Sequence, residues 1–173
     1  MHQVPWAGAL ALAIWAGWLD WRSRRIPNWL TVSNFLIALV LNTIVFGWGG
    51  TKSALEGAGL ALVLLLPLVL LRGLGAGDWK LMGALGAYVG PKQILFVLVV
   101  TFLIAGVMAF AQITWRKRWK ATLRNLWDLI CGFLIFGLRP HPVVTLDNPG
   151  LLSLPFGTAV AAATLLCYWG TRV

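Results

Sequence analysis

Acidic side chains are scarce in this chain, and no stretch of it has the polar composition of a separate soluble domain. Asp and Glu together number 5 in 173 residues, and charged residues of both signs make up only 11% of the sequence. Hydrophobic residues make up 60%, far above the share found in soluble domains. These proportions exclude an ordinary soluble enzyme and predict an integral membrane protein.

Cysteine pairs and histidine clusters are also lacking. Cys131 and Cys167 lie far apart in apolar surroundings, and no CxxC motif is present. His2 and His141 have no partner at the spacing of metal ligands. We therefore interpret both cysteines as small buried hydrophobic side chains, and we predict neither a metal site nor a cofactor.

The net charge of +9 suggests a nucleic-acid partner at first sight, but no basic polar domain is present to bind one. The basic residues instead follow a membrane topology. The predicted inner loops, 20–28, 72–80 and 115–153, hold 11 Lys and Arg residues, whereas the predicted outer segments hold 3. Because cytoplasmic loops are enriched in Lys and Arg, this distribution predicts an N-terminus outside the cytoplasm.

The apolar runs predict an all-α membrane protein, a bundle of about six transmembrane helices in a single domain over residues 1–173. The chain has room for six spans of roughly 20 residues. Small loops are predicted over residues 47–53 and 90–92, and residues 125–138 form an apolar stretch better suited to an interfacial or re-entrant segment. The predicted spans are residues 4–19, 29–48, 54–71, 78–89, 94–114 and 154–169.

Two of the few acidic residues fall at the same predicted membrane face. Asp20 ends the first span, and Asp78 begins the fourth. Ionisable groups at membrane depth are costly, which makes both candidates for function. If the first and fourth spans pack together, the two carboxyls share one proton, so that one can activate a water and the other can act as an acid.

Simpler interpretations exist for each aspartate taken alone. Asp78 suits the N-cap of the fourth span, because Asp is a preferred N-cap residue. Asp20 could balance Arg22, Arg24 and Arg25 at the interface. Lys80 could lie near the two aspartates or extend towards the lipid headgroups, and we favour the headgroups. The position of both aspartates at the same predicted membrane depth favours a role that the two carry out together.

Three motifs resemble those of one family. Residues 75–81, GAGDWKL, resemble the GxGDxKL signature of the prepilin peptidases, also called type IV leader peptidases. Asp20 followed by residues 25–28, RIPN, resembles the other catalytic region of that family, and residues 154–157, LPFG, resemble its (I/L)-P-(F/Y)-G motif. The three motifs occur in the expected order and cover nearly the whole chain.

The resemblance implies an aspartic endopeptidase of the bacterial inner membrane, with Asp20 and Asp78 as the catalytic pair. Gly75 and Gly77 would allow a substrate peptide to approach closely, and Lys80, Pro27 and Asn28 would support the motifs. The implied substrates are prepilins or pseudopilins, membrane proteins whose basic leader is cut at the cytoplasmic face, typically after a glycine. Larger members also carry paired CxxC motifs and N-methylate their product. This chain lacks them, so we expect the short, peptidase-only form.

Three alternatives remain at this point. An archaeal-type preflagellin peptidase shares the GxGD chemistry. In a small transporter component the aspartates would bind ions, although such sites usually lie near the bilayer midplane and in repeated halves, and no internal repeat is visible. In a membrane scaffold, Asp→Asn changes would have little effect.

Overall fold

The computed structural model of the protein describes residues 3–71, 73–116 and 155–171, with the side chains of residues 3 and 4 excepted. Within these ranges the regular structure is entirely helical, which confirms the predicted all-α class. Four helices follow one another: α1 (Gln3–Ser23), α2 (Asn28–Leu70), α3 (Ala76–Trp115) and α4 (Phe156–Gly170). The stretch 125–138, Cys131 and His141 lie outside the described residues.

The described residues form four helices rather than six helices separated by loops, and two of the four are interrupted internally at the places where loops were predicted. The predicted loop over residues 47–53 is reduced to one residue with non-helical backbone angles, Gly47, inside α2. Gly90 takes the same role inside α3, just before Pro91. Both glycines have a positive φ, 62° and 80°, which side chains on other residues strongly disfavour. One glycine was therefore enough where a loop was expected.

The helix axis turns back on itself at Gly47. The hydroxyl oxygens of Thr43 and Thr51 lie 2.7 Å apart, although they are separated by eight residues. Eight residues in a straight α-helix would span about 12 Å. Also, a Cβ atom on Gly50 would collide with the carbonyl oxygen of Asn42. The two halves of α2 therefore lie side by side.

The halves of α3 also return to the same end of the molecule. Asp78, in the first turn of α3, lies within electrostatic reach of Asp20 near the end of α1. Trp115, at the other end of α3, lines a cavity together with Trp21, which follows Asp20 in α1. A straight helix of 40 residues would be about 60 Å long, so both ends can meet α1 only because the chain turns at Gly90.

Small residues bring α2 and α3 into close contact. Gly57 of α2 and Gly86 of α3 touch backbone to backbone, and a Cβ atom on either would collide with the carbonyl oxygen of the other. Ala54, Ala58 and Ala61 are buried on the same side of α2. Small residues at helix contacts are typical of membrane proteins, where close packing rather than exclusion of water drives association.

The outer surface is apolar. Ile44, Phe96 and Val107 are each at least 70% exposed. Of the described helices, α2 and α3 are long and apolar enough to cross a membrane by length and composition, and α4 is a shorter apolar helix. An apolar exterior around a core of small residues is the arrangement expected in lipid.

Candidate active site

Asp20 lies in the last turn of α1, with its side chain buried. The helix continues to Ser23 and ends because Arg24 adopts a left-handed conformation with φ 50°, its N–H donating to the carbonyl of Asp20 at 2.9 Å. Asp20 is only 7% exposed. Of the three arginines considered as its partners, Arg24 is the one whose charge acts on the carboxyl. Because Asp20 is buried and only one of the three guanidinium groups acts on it, balancing the arginines at the membrane interface does not account for its position.

The carboxyl of Asp20 binds the start of α4. The backbone N–H of Gly157 donates a hydrogen bond of 2.7 Å to Oδ2 of Asp20, between residues 137 positions apart in the sequence. A Cβ atom on Gly157 would lie 2.8 Å from the Cβ of Asp20, too close for two carbons. Glycine is therefore required where α4 meets Asp20.

Asp78 is the third residue of α3, not its N-cap. Gly75 occupies the N-cap position with an extended backbone, φ −68° and ψ 142°, so Asp78 caps the start of the helix from its third position and not as the N-cap residue. The carboxyl instead turns back towards the helix start and interacts with the backbone N–H of Gly75. A Cβ on Gly75 would lie 3.0 Å from Oδ2 of Asp78.

The structure brings the two aspartates together. The charge of Asp20 acts electrostatically on Asp78, second only to burial among the influences on the Asp78 carboxyl. One carboxyl comes from the end of α1 and the other from the start of α3. Two carboxyls that oppose each other's ionisation in this way are suited to opposite protonation states, one as an acid and one as a base.

The turn between α1 and α2 packs against the start of α3. A Cβ on Gly77 would lie 3.3 Å from both the Cβ and the carbonyl oxygen of Ile26, so any larger residue would push the segments apart. Lys80 donates a hydrogen bond of 3.0 Å from Nζ to Oδ1 of Asn28. Lys80 therefore binds the other motif, and the expectation that it extends to the lipid headgroups is wrong.

Pro27 fixes the start of α2. It is the N-cap residue, with φ −70° and ψ 140°, and the N–H of Leu30 donates to its carbonyl at 3.1 Å. The proline ring presets the backbone for the helix that follows. We use the name aspartate end for the group formed by Asp20, residues 24–28, residues 75–80 and Gly157.

Gly157 is the site residue that the sequence interpretation did not assign. The LPFG motif contributes to the family resemblance, and it was the available signal for a functional residue at position 157. Its contact with Asp20 is made by a backbone N–H, which every residue except proline carries. The motif could therefore have indicated position 157, but not the bond that its N–H makes.

Two cavities lie near the aspartate end, and neither is lined by Asp20 or Asp78. A cavity of about 450 Å³ lies between Trp21, Trp115 and Pro155. An apolar groove of about 190 Å³ lies between Trp79, Lys80 and α2. Among the residues described, no group of three or more His, Cys, Asp or Glu could hold a metal ion.

Comparison with known proteins places this site in a family. A model of the type IV leader peptidase family matches residues 7–110, a segment that contains both Asp20 and Asp78. No curated protein matches the chain, and neither does any solved structure. Because the matched segment covers more than half of the sequence, the chain belongs to the type IV leader peptidase family.

Proposed function

We propose that this protein is an aspartic endopeptidase that removes the basic leader from prepilin-like proteins, with Asp20 and Asp78 as its catalytic pair. The observation that carries the proposal is the electrostatic proximity of these two carboxyls. They are 58 positions apart in the sequence and meet where two helices end and begin. Acids within a membrane bundle are costly, which favours a functional role for the pair.

The proposed reaction needs only water and the two carboxyls. One carboxylate takes a proton from the attacking water, and the other carboxyl donates its proton to the carbonyl oxygen of the scissile bond. Sharing one proton keeps the two groups in opposite states, as both steps require. Neither a side-chain nucleophile nor a cofactor takes part in this scheme.

The two cavities near the aspartate end support an extended peptide as substrate. The groove beside Trp79 and Lys80 is lined mainly by apolar side chains, among them Val32, Phe35 and Leu62. The cavity beside Trp21 is larger and includes Arg116 and Gln112. We propose that the substrate peptide occupies both and passes the two carboxyls between them.

We further propose a multi-pass location in the cytoplasmic membrane, with the aspartate end at the cytoplasmic face and lipid around the apolar exterior. The substrate would carry its own transmembrane helix and reach the site laterally. Cleavage would fall between its basic leader and its apolar segment. The positive-inside distribution of Lys and Arg supports this orientation.

Leader removal in cells tests the proposal. The protein is co-expressed with a prepilin in a host that lacks its own leader peptidase, and the loss of the leader is followed on a gel. Asp20→Asn and Asp78→Asn should each abolish the shift while the protein accumulates in the membrane. Glu56→Gln is the matched control, because Glu56 is exposed and only pairs with Lys52 at 3.9 Å.

Normal processing by either Asn variant would remove that aspartate from the catalytic pair. A preflagellin in place of the prepilin tests the archaeal-type alternative in the same host. Cleavage of the preflagellin alone would change the substrate class and leave the chemistry in place.

A further inference from the structure

The amino terminus of α4 gives the two aspartates different surroundings. Gly157 is the second residue of α4, directly after Phe156, and the first N–H groups of a helix have no partner within the helix. The N–H of Thr158, one residue later, does find a local partner, the carbonyl of Pro155 at 3.2 Å. The N–H of Gly157 instead donates to Asp20.

Asp20 therefore faces positive groups from two elements. The N–H of Gly157 and the positive end of the α4 dipole approach from one side, and the Arg24 guanidinium acts from its own chain segment. The helix α4 carries no charged side chain of its own. Among the residues that the structure describes, Asp78 of α3 is the negative group that faces Asp20.

Burial is the largest influence on both carboxyls and opposes the ionisation of each, and Asp78 has less to offset it. The N–H of Gly75 interacts with its carboxyl, but the charge of Asp20 opposes ionisation. Lys80, the nearest cation along α3, donates to Asn28 rather than to Asp78. A single proton shared by the pair is thus better placed on Asp78 than on Asp20.

We propose, on the basis of the function proposed above, that Gly157 is a positioning residue whose N–H keeps Asp20 ionised, so that Asp20 activates the water and Asp78 holds the proton. The water oxygen attacks the carbonyl carbon while Asp20 takes a water proton and Asp78 gives its proton to the carbonyl oxygen. The carbon–nitrogen bond then breaks. Asp20 protonates the leaving amine, and Asp78 recovers its proton from the hydroxyl as the carboxylic acid forms.

The close approach of α1 and α4 that this requires depends on a second glycine. A Cβ on Gly17 would lie 3.1 Å from the carbonyl oxygen of Gly157 and 2.9 Å from the Cβ of Ala161. Gly17 is one turn before Asp20 in α1. The two glycines therefore let the start of α4 approach the Asp20 carboxyl closely.

Replacement of one backbone N–H by an oxygen tests the inference without altering any side chain. An α-hydroxy acid is introduced at position 157 by nonsense suppression in the full chain, which is reconstituted in lipid nanodiscs. The substrate probe is a synthetic peptide with a basic leader ending in glycine and a 20-residue apolar segment. The control is the same replacement at position 158, which removes the N–H that bonds to Pro155.

The ester at position 157 should lower the cleavage rate about tenfold, because a hydrogen bond to a charged group is lost. Without the N–H, Asp20 takes up a proton at higher pH. The acid side of the pH–rate profile should therefore move up by about one pH unit. The ester at position 158 should leave the profile in place.

The assignment of Gly157 would be overturned if the ester at position 157 left the acid side of the pH–rate profile in place. Equal shifts of the profile for the esters at positions 157 and 158 would also overturn it. Asp20→Asn and Asp78→Asn are assayed with the same peptide. If both still cleave it at the unmodified rate, the proposed function fails. If they are inactive while the position 157 ester behaves as unmodified protein, only the role of Gly157 fails.

Discussion

The aspartate end and the α2–α3 interface are held together by different kinds of contact. At the α2–α3 interface, Gly57 and Gly86 touch backbone to backbone among buried alanines. At the aspartate end, polar groups meet across long sequence separations, as in the bonds from Gly157 to Asp20 and from Lys80 to Asn28. Added volume should therefore damage the fold at the interface, whereas lost or shifted polar groups should damage the chemistry at the aspartate end.

Apart from changes to the two aspartates, Gly157→Ala should show the largest effect on function. The new methyl group would lie 2.8 Å from the Cβ of Asp20, so the carboxyl must move. Misplacement of a catalytic group by about 1 Å can cost about 100-fold in rate, and we expect a loss of that order in leader cleavage. Thermal unfolding in detergent should change little by comparison, because the site lies at the end of two helices.

Gly170→Ala is the control for this variant, because it lies in the same helix and has nothing within 4 Å of the added methyl. It should cleave at the normal rate. Equal loss of activity in both variants would mean that α4 responds to helix changes in general, and would remove the distinction between the two regions.

Gly57→Ala should affect stability most. A methyl group at this position collides with the carbonyl oxygen of Gly86, and overpacking of this kind costs about 1–3 kcal/mol of unfolding free energy. Gly59→Ala is the matched control two residues along α2, with open space around the added methyl. It should match or slightly exceed the original stability, since alanine favours helix.

Unfolding in detergent measures both variants, and cleavage is expressed per folded molecule. If Gly57→Ala folded normally but lost cleavage, the interface would belong to the active machinery, and the comparison between the two regions would be broken.

Lys80→Met and Asn28→Ala should each lower cleavage about tenfold. Each removes one partner of the bond that joins the start of α3 to the turn before α2. The double variant should resemble either single variant, because both changes remove the same contact. Additive losses in the double variant would show that the bond does not connect the two segments in function.

Thr43→Val should have the smallest effect. It removes the hydroxyl contact with Thr51 beside the Gly47 turn. Polar contacts between membrane helices average about 0.6 kcal/mol, so a loss of that size is expected in the unfolding free energy. Cleavage should stay unchanged, because this contact lies at the Gly47 turn rather than at the aspartate end. A loss of cleavage would extend the functional region to the turn.

Much of the architecture could be read from local sequence. The apolar runs predicted helices throughout the described residues, and Pro27 predicted the start of α2 within one residue. Loops were predicted less well. The sequence predicts a loop over residues 47–53, because a chain reversal usually takes several residues. In the structure, Gly47 with φ 62° makes the reversal alone.

The sequence predicts the aspartates as a neighbouring pair, and the structure places them within electrostatic reach of each other, but their other partners differ from those predicted. Asp78 was considered as an N-cap because Asp favours that position, whereas Gly75 holds it in the structure. Lys80 was expected near lipid headgroups, since a long cationic side chain usually extends there, and it instead reaches Asn28. Both errors arose because propensities describe average surroundings and not the one neighbour that the fold supplies.

The sequence by itself determined the helical class, the membrane character and the two acids available for chemistry, because each of these follows from residue types and their local order. Only the tertiary structure decided that the start of α4 binds Asp20 and that α1 and α3 bring their acids together. Gly157 and Asp20 are 137 positions apart in the sequence, and Asp20 and Asp78 are 58 positions apart, so both arrangements are long-range. They depend on helix packing and on a backbone N–H that has no signature in the sequence.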